Sequence, residues 1–228
     1  MYKPMKFIIK RVFISILIAS SFSNVCIAQS ADYVVPHNRF SCEGALSSLY
    51  TWRTEFSYHY MISKYIGVGT SFGSWKQYLE ENPQPCGNNW WIDEDDEKLM
   101  NFYLCPSIHL ETPSVNLGKN IRLSLFTEPG CQMNIPYERI YIGSNSNPQK
   151  NDYTYIHSKN PQWAFFNLKV GLCFRISYHA GVSLGYNFST TDIYANRRTM
   201  RYANTSFDEL YPQKKKMHEA FVSLVLYP

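Results

Sequence analysis

The stretch from Trp163 to Asp192 alternates between two kinds of side chain over an unusual length. In its second half, every other position is small or polar: His179, Gly181, Ser183, Gly185, Asn187, Ser189 and Thr191. The interleaved positions are nearly all apolar: Ala180, Val182, Leu184, Tyr186, Phe188 and Thr190. The first half, through Ile176, alternates in the same way. A period of two is typical of β-strands, because successive side chains point to opposite faces.

The length of these two runs indicates strands that cross a membrane. Each is about twice an ordinary strand of ~5–6 residues and matches the ~9–11 residues that a tilted transmembrane strand needs. One face carries charge, amide groups and glycine, whereas the other is apolar. We therefore predict the wall of a β-barrel, with the apolar face toward lipid and the glycine-and-charge face inside.

Residues 1–28 have the pattern of a secretory signal peptide. Four basic residues precede a short apolar core at 12–19, and Cys26-Ile27-Ala28 places small residues at the cleavage-reading positions. The core is too short for a spanning helix, which needs ~20 residues. A lipoprotein role for Cys26 stays open as an alternative. We predict that residues 29–228 form a single barrel domain.

Charge and cysteine content exclude several classes of function. The chain has 22 Lys and Arg against 18 Asp and Glu, but four basic residues belong to the signal segment, so the mature chain is balanced. This gives no basis for nucleic-acid binding. The five remaining cysteines have no zinc-type spacing, and we predict no metal and no cofactor. We expect Cys105 and Cys173 to be small packing residues, and a bridge between Cys86 and Cys131 stays open.

Eight strands account for the mature chain. Besides the two above, alternation predicts strands over 41–50, 55–62, 66–78, 101–111, 121–128 and 214–228, with the first link at 51–52. Short links at 63–64, 112–118 and 177–178 alternate with long ones at 79–97, 136–161 and 193–213. Outer-membrane barrels have this asymmetry, with tight periplasmic turns and long extracellular loops.

The mature chain resembles the small eight-stranded outer-membrane barrels of Gram-negative bacteria, the OmpA/OmpX-like family. Its ending, 221–227, is similar to the aromatic-terminated last strand that the barrel assembly machinery reads in that family, although Pro228 follows the aromatic residue here. The resemblance implies an all-β, eight-stranded antiparallel up-and-down transmembrane barrel, located in the outer membrane and in contact with its lipid and lipopolysaccharide. It also implies a structural or surface-contact role in membrane integrity or adhesion, without an open pore.

The inward phase of the strands collects charged side chains. The predicted lumen network consists of Glu55, His59, His109, Glu111, Arg122, Glu128, Lys169, Arg175 and Glu219. An ion path or a hydrolytic site is the alternative to a network whose members satisfy one another, which we favour because unpaired buried charge is costly. We expect Arg122 and Arg175 each to pair with an inward glutamate.

The long loops carry the candidate contact residues. Trp90 and Trp91 are predicted to make surface contacts, either stacking on sugar or dipping into the outer leaflet. Basic residues near the outer rim are predicted to meet lipopolysaccharide phosphates: Arg197, Arg198, Arg201, Lys214, Lys215 and Lys216. An aromatic girdle is expected from Tyr78, Tyr137, Tyr141, Trp163, Tyr194 and Tyr211. The acidic run 93–97 lacks the ligand spacing of a calcium loop, and we interpret it as a solvated surface.

Two other classes compete with a non-enzymatic membrane barrel. A secreted, lipocalin-like ligand-binding barrel would reverse the faces, with apolar residues inside. An outer-membrane lipid hydrolase would need a nucleophile and an oriented base. The candidate pairs, His157 with Ser158 and Ser177 with His179, have no third partner identifiable from spacing, so we predict that the protein is not an enzyme.

Overall fold

The computed structural model describes residues 36–78, 86–87, 89–92, 99–118, 121–135, 138–147, 150–159 and 162–228. The predicted signal segment, Tyr137 and the acidic run 93–97 lie outside them. Eight long strands form the main body: β1 Asn38–Ser47, β2 Thr51–Met61, β3 Ile66–Gln77, β4 Met100–Glu111, β5 Arg122–Asn134, β6 Ala164–Arg175, β7 Ala180–Ser189 and β8 Met217–Leu226.

These eight strands form one closed antiparallel sheet. Each strand pairs with the next along the chain, and β8 pairs with β1, for example Phe40 with Leu226. The short strand Val115–Asn116 adds to β5 beside the turn that precedes it. The predicted architecture, an eight-stranded antiparallel up-and-down barrel, is confirmed.

The two faces of the wall are oriented as the alternation predicts. Phe56 is 63% exposed and Leu184 is 44% exposed on the outside, whereas their neighbours Glu55 and Ser183 are each 1% exposed. Many large apolar side chains share the outer surface, including those of β1, β3, β4 and β8. Such a surface fits acyl chains and not water. The lipocalin-like alternative, which requires the opposite orientation, is therefore wrong.

The connections differ in length at the two ends of the barrel. One end has the tight turns 62–65 and 176–179 and the link 112–121, as predicted. The other end has a tight link at 48–50, where Tyr50 has φ 56°, so the predicted link at 51–52 lies inside β2. Strand β5 also runs six residues beyond its predicted end.

The three long connections fold into elements of their own. Strands Cys86–Gly87, Trp90–Ile92, Arg139–Asn147 and Lys150–His157 form a four-stranded antiparallel sheet, with the first two at one edge. The third connection contains a short helix, Ala195–Arg198, and a hairpin of Arg201–Tyr202 with Thr205–Ser206. Its two turn residues, Ala203 and Asn204, have φ of 46° and 65°, the left-handed conformation that such turns require. We call the four-stranded sheet, together with the segment 191–213, the cap.

Two expectations about cysteines have different outcomes. Cys105 and Cys173 are buried, as predicted, whereas Cys86 and Cys131 are free thiols and form no bridge. Within the described part of the chain, no helix has the length and hydropathy needed to span a membrane.

Candidate functional site

One ion-pair cluster in the lumen centres on Arg53. Its guanidinium lies 2.5 Å from Glu43 Oε1, 2.9 Å from Glu219 Oε2 and 3.8 Å from Glu55 Oε2. Lys169 Nζ contacts Glu43 Oε2 at 2.9 Å and also binds Glu55 Oε1. All five side chains are almost fully buried. Each carboxylate contacts at least one cation, so the two cations offset most of the charge of the three carboxylates in a site from which water is largely excluded.

Neutral side chains add hydrogen bonds to the carboxylates of this cluster. Tyr103 donates its hydroxyl to Glu55 Oε2 at 2.6 Å, and Ser57 donates to Glu55 Oε1 at 3.0 Å. Asn187 Nδ2 donates to Glu219 Oε2 at 2.5 Å. Carboxylates accept several hydrogen bonds at once, so these donors satisfy lone pairs that the cations leave open.

A second cluster centres on Glu128 and His109. Arg39 donates to Glu128 Oε1 at 3.1 Å, and His109 Nδ1 lies 2.8 Å from the same oxygen. The other ring nitrogen of His109 lies 3.2 Å from Glu111 Oε2. Arg175 approaches Glu111 at 3.9 Å and packs over the Tyr227 ring at 4.1 Å. Through side chains alone, this cluster therefore links four strands and Tyr227, the residue that directly follows β8.

Most of the predicted lumen network lies where the alternation places it. Glu55, His59, His109, Glu111, Glu128, Lys169 and Glu219 are all inside, and His59 Nε2 bonds Ser107 at 2.9 Å. Arg175 pairs with Glu111 as expected. The Arg122 guanidinium lies 5.8 Å from the centre of the Tyr178 ring, at the tight-turn end of the barrel. The sequence analysis missed Arg39, Glu43 and Arg53.

Aromatic side chains fill much of the remaining lumen. Phe126 and Phe221 contact each other at 6.2 Å, and Arg39 and Lys169 lie over their rings at 5.7 and 5.8 Å. Glycines make room for them: a Cβ on Gly185 would lie 2.3 Å from Val170 O and 2.9 Å from the Phe221 ring. The lumen is thus a packed, charge-compensated interior, as expected for eight strands.

The cap covers the long-connection end of the barrel with an apolar cluster. The barrel contributes Trp75 of β3, Tyr103 of β4 and Leu99, which directly precedes β4. From the cap come Trp90, Ile92, Ile140, Ile142, Ile193, Tyr194, Met200, Phe207 and Tyr211. Ile140 and Ile142 are 0% exposed, which makes this a core of the kind found inside soluble domains.

Three predictions about the loop aromatics are wrong because of this cluster. Trp90 was expected to make surface contacts, but it is 8% exposed and stacks on Phe207 at 6.0 Å. Tyr194 and Tyr211 were expected in the girdle, but they are at most 1% exposed and pack against each other at 5.2 Å. Tyr78 and Trp163 are exposed near the end of the barrel wall, in agreement with a girdle.

The predicted lipopolysaccharide contact of Arg197 is wrong because this side chain is buried in the cap, and Arg198 also has partners there. Arg197 is 2% exposed, and it donates from Nε to Glu138 Oε1 at 2.8 Å and from a guanidinium nitrogen to Tyr211 at 3.4 Å. Arg198 is half-buried, and it pairs with Asp192 and donates to Pro212 O at 3.1 Å. Burial alone would lower the pKa of Arg197, but Glu138 raises it overall, so this ion pair keeps its charge.

The other basic residues that were predicted to contact lipopolysaccharide are at least partly exposed to solvent. Arg201, Lys215 and Lys216 are exposed, and Lys214 is half-buried with its Nζ 5.6 Å from the centre of the Tyr194 ring. Their contact with lipopolysaccharide stays a prediction.

The sheet of the cap has one face against the apolar cluster and one face outward. On the outward face Tyr141 lies opposite Tyr155, Gly143 lies between Tyr153 and Trp91, and Arg139 lies opposite His157. Tyr141, Tyr153 and Tyr155 are 37%, 56% and 55% exposed. We call these seven residues the aromatic platform. Of the two predicted contact tryptophans, only Trp91 lies on this outward face.

Ser177, His179 and His157 of the candidate hydrolase pairs make turn, backbone and ring-packing contacts. Ser177 Oγ accepts bonds from the backbone N–H groups of His179 and Ala180, which is the role of a turn-stabilising hydroxyl. His179 Nδ1 lies 3.0 Å from Tyr227 O. His157 packs edge-on against Tyr155 at 5.1 Å in the cap. The expectation that the protein is not an enzyme stays a prediction.

Comparisons with known proteins agree with this architecture only in outline. No protein-family model and no curated protein matches the chain. Solved structures similar to it include Neisserial surface protein A, with 9% identity over 84% of this chain and 96% of that one and a TM-score of 0.41. The N-terminal β-barrel domain of Pseudomonas aeruginosa OprF gives 12% identity, 83% and 95% coverage and a TM-score of 0.36. The outer membrane enzyme PagL gives 8% identity over 82% of this chain and 97% of that one, with a TM-score of 0.41.

At this similarity the neighbours carry no conclusion about this chain's activity, and the assignment depends on the barrel itself. Its sheet is closed, its exterior is apolar and its charges are inside. In a bilayer core only helices and closed barrels satisfy every backbone hydrogen bond, and closed antiparallel barrels of this kind are those of outer membranes. The chain has the architecture of an outer-membrane β-barrel.

Proposed function

We propose that the protein is an outer-membrane anchor that presents a folded cap at the cell surface, with a structural or contact role and without an open pore. The observation that carries this proposal is the apolar cluster under the cap. A loop that only connected two strands would need no core, whereas here about a dozen buried side chains hold three connections as one body. The packed lumen supports the same function, since it provides a rigid, closed base.

Tags in two tight turns test the placement of the cap. An epitope inserted between Ala203 and Asn204, both exposed, is expected to bind antibody on intact cells. The matched control is the same epitope at Ser63-Lys64, an exposed turn at the opposite end, which should bind only after the outer membrane is permeabilised. The reverse pattern, or no difference between the two sites, contradicts the proposal.

The exposed basic residues near the barrel rim are proposed to contact lipopolysaccharide phosphates. Replacing Lys214, Lys215 and Lys216 together by Gln is expected to weaken binding of purified lipopolysaccharide to the detergent-solubilised protein. The expected loss is about 3 kcal/mol, from about 1 kcal/mol per cation near an anionic surface. Lys64→Gln, an exposed lysine at the opposite end, serves as the control. Equal binding by the triple variant and the control would remove this role.

A further inference from the structure

We infer that the aromatic platform of the cap is a binding site for an acidic saccharide chain. This inference rests on the proposed surface placement of the cap, and it names the partner of that surface. The platform is one face of a sheet, and its members come from three neighbouring strands in register. No barrel strand contributes to it.

The packing of the opposite face explains why these rings point outward. Ile140, Ile142 and Ile92 alternate with the platform residues and lie in or against the apolar cluster. The sheet therefore already has a buried face, and the platform residues lie on its opposite, outward face. Tyr141, Tyr153 and Tyr155 are left 37–56% exposed there, so a ligand can reach their rings.

A glycine in the platform makes room for an indole. A Cβ on Gly143 would lie 2.5–2.8 Å from three atoms of the Trp91 ring, so the indole occupies the space that a side chain would take. Trp91 and Tyr153 are the two cross-strand neighbours of Gly143, one on each side, so the three residues form a row across the sheet. The result is a row of two aromatic rings, next to the row of Tyr141 and Tyr155, whose ring centres are 6.3 Å apart.

The chemistry of these side chains fits sugar. The faces of aromatic rings are negative and attract the polarised C–H groups on the flat side of a pyranose, while phenol and indole groups at the ring edges hydrogen-bond to hydroxyls. Two rows of rings match successive sugars of a chain better than a single small ligand.

The charge at one end of the platform favours an acidic chain. The Arg139 guanidinium lies 5.5 Å from the centre of the Tyr141 ring, directly opposite His157, and Lys159 is exposed two residues further on. The described side chains of the platform include no carboxylate. Arginine offers paired donors to a sugar carboxylate or sulfate, so binding should weaken as salt rises.

The test measures binding of defined oligosaccharides to the purified, detergent-folded full-length protein. A hexamer of galacturonic acid is the acidic probe and maltohexaose is the neutral one. We expect the acidic hexamer to bind more tightly, Tyr155→Ala to weaken binding of both, and Arg139→Gln to weaken the acidic probe alone by about tenfold, which corresponds to about 1.4 kcal/mol. Tyr65→Ala and Lys64→Gln, exposed residues in the tight turn at the opposite end of the barrel, are the matched controls.

Several results would overturn the inference, and each is separate from the surface test above. If neither probe binds, or if Tyr155→Ala binds like Tyr65→Ala, the platform is not a saccharide site, even where the tag on the cap is surface-exposed. If platform variants lose association with lipid vesicles and not with sugar, the rings belong to the membrane interface. To separate binding to lipopolysaccharide sugar from binding to a free polysaccharide, competition is measured with lipopolysaccharide and with its delipidated glycan.

Discussion

Arg53 illustrates how single residues determine the interior of this barrel. It contacts three glutamates from two neighbouring strands and from β8, so it compensates charge that no single pair would compensate. Removing such a residue leaves several buried carboxylates without a cation. That cost, and not the strength of one salt bridge, sets its contribution to stability.

Replacing Arg53 by Met is therefore expected to lower the free energy of unfolding by about 3–5 kcal/mol, the usual cost of breaking a buried ion pair. Urea titration of the folded barrel in detergent measures it, with the exposed Arg201→Met as control. Adding Glu219→Gln to Arg53→Met should recover part of the loss, because it removes one uncompensated carboxylate. Equal stability of Arg53→Met and the control would show that the cluster does not hold the interior.

Two glycines of the wall provide a matched pair of substitutions. A Cβ on Gly185 would lie 2.3 Å from Val170 O and 2.6 Å from Gly171 Cα, whereas a Cβ on Gly44 meets nothing within 4 Å. Gly185→Ala is expected to force β6 and β7 apart and reduce the heat-resistant, compact species on gels, while Gly44→Ala should fold normally. Normal folding of both variants would contradict the close approach at Gly185.

At the scale of elements, the cap is a small folded unit built from connections. Its stability depends on contacts between the sheet and the segment 191–213, chiefly the apolar cluster and the Arg197–Glu138 ion pair. Burial also raises the pKa of the Tyr211 hydroxyl beside Arg197, so the tyrosine stays a neutral hydrogen-bond partner at neutral pH.

Ile142→Ala tests whether the cap is a unit distinct from the barrel. Ile142 is 0% exposed, and truncating such a residue costs about 2–5 kcal/mol. We expect faster proteolysis within the cap, while the barrel keeps its heat-dependent gel mobility. Thr154→Ala, the exposed partner opposite Ile142 in the sheet, is the control. Loss of the barrel together with the cap would show one cooperative unit instead.

The sequence predicted the strands much better than it predicted the cap, for a physical reason. In a strand, burial follows a period of two, so the positions of Glu55 and Lys169 could be assigned from neighbours alone. Arg39 and Arg53 were missed because the alternation of β1 is weak and because 51–52 was assigned to a link. In the cap, burial of Trp90 and Arg197 depends on residues about 50 to 120 positions away, such as Glu138 and Phe207, and no local pattern records that contact.

At the scale of the whole molecule, the barrel and the cap have separate parts in the proposed function. The closed wall satisfies the backbone and meets lipid with apolar side chains, and the filled lumen makes the wall rigid. The cap then presents a sheet whose outward face carries the aromatic platform. All of this depends on the wall being embedded in a bilayer.

The most direct measurement of that claim is the accessibility of the outer wall. Single nitroxide labels are placed at Phe56, Leu184 and Leu224, in a background without the native cysteines, and at Tyr153 in the cap, in protein reconstituted in vesicles. We predict that the three wall labels collide more with oxygen, which concentrates in lipid, than with a water-soluble nickel chelate, and that the cap label shows the opposite. Wall labels that collide mainly with the chelate would contradict the account.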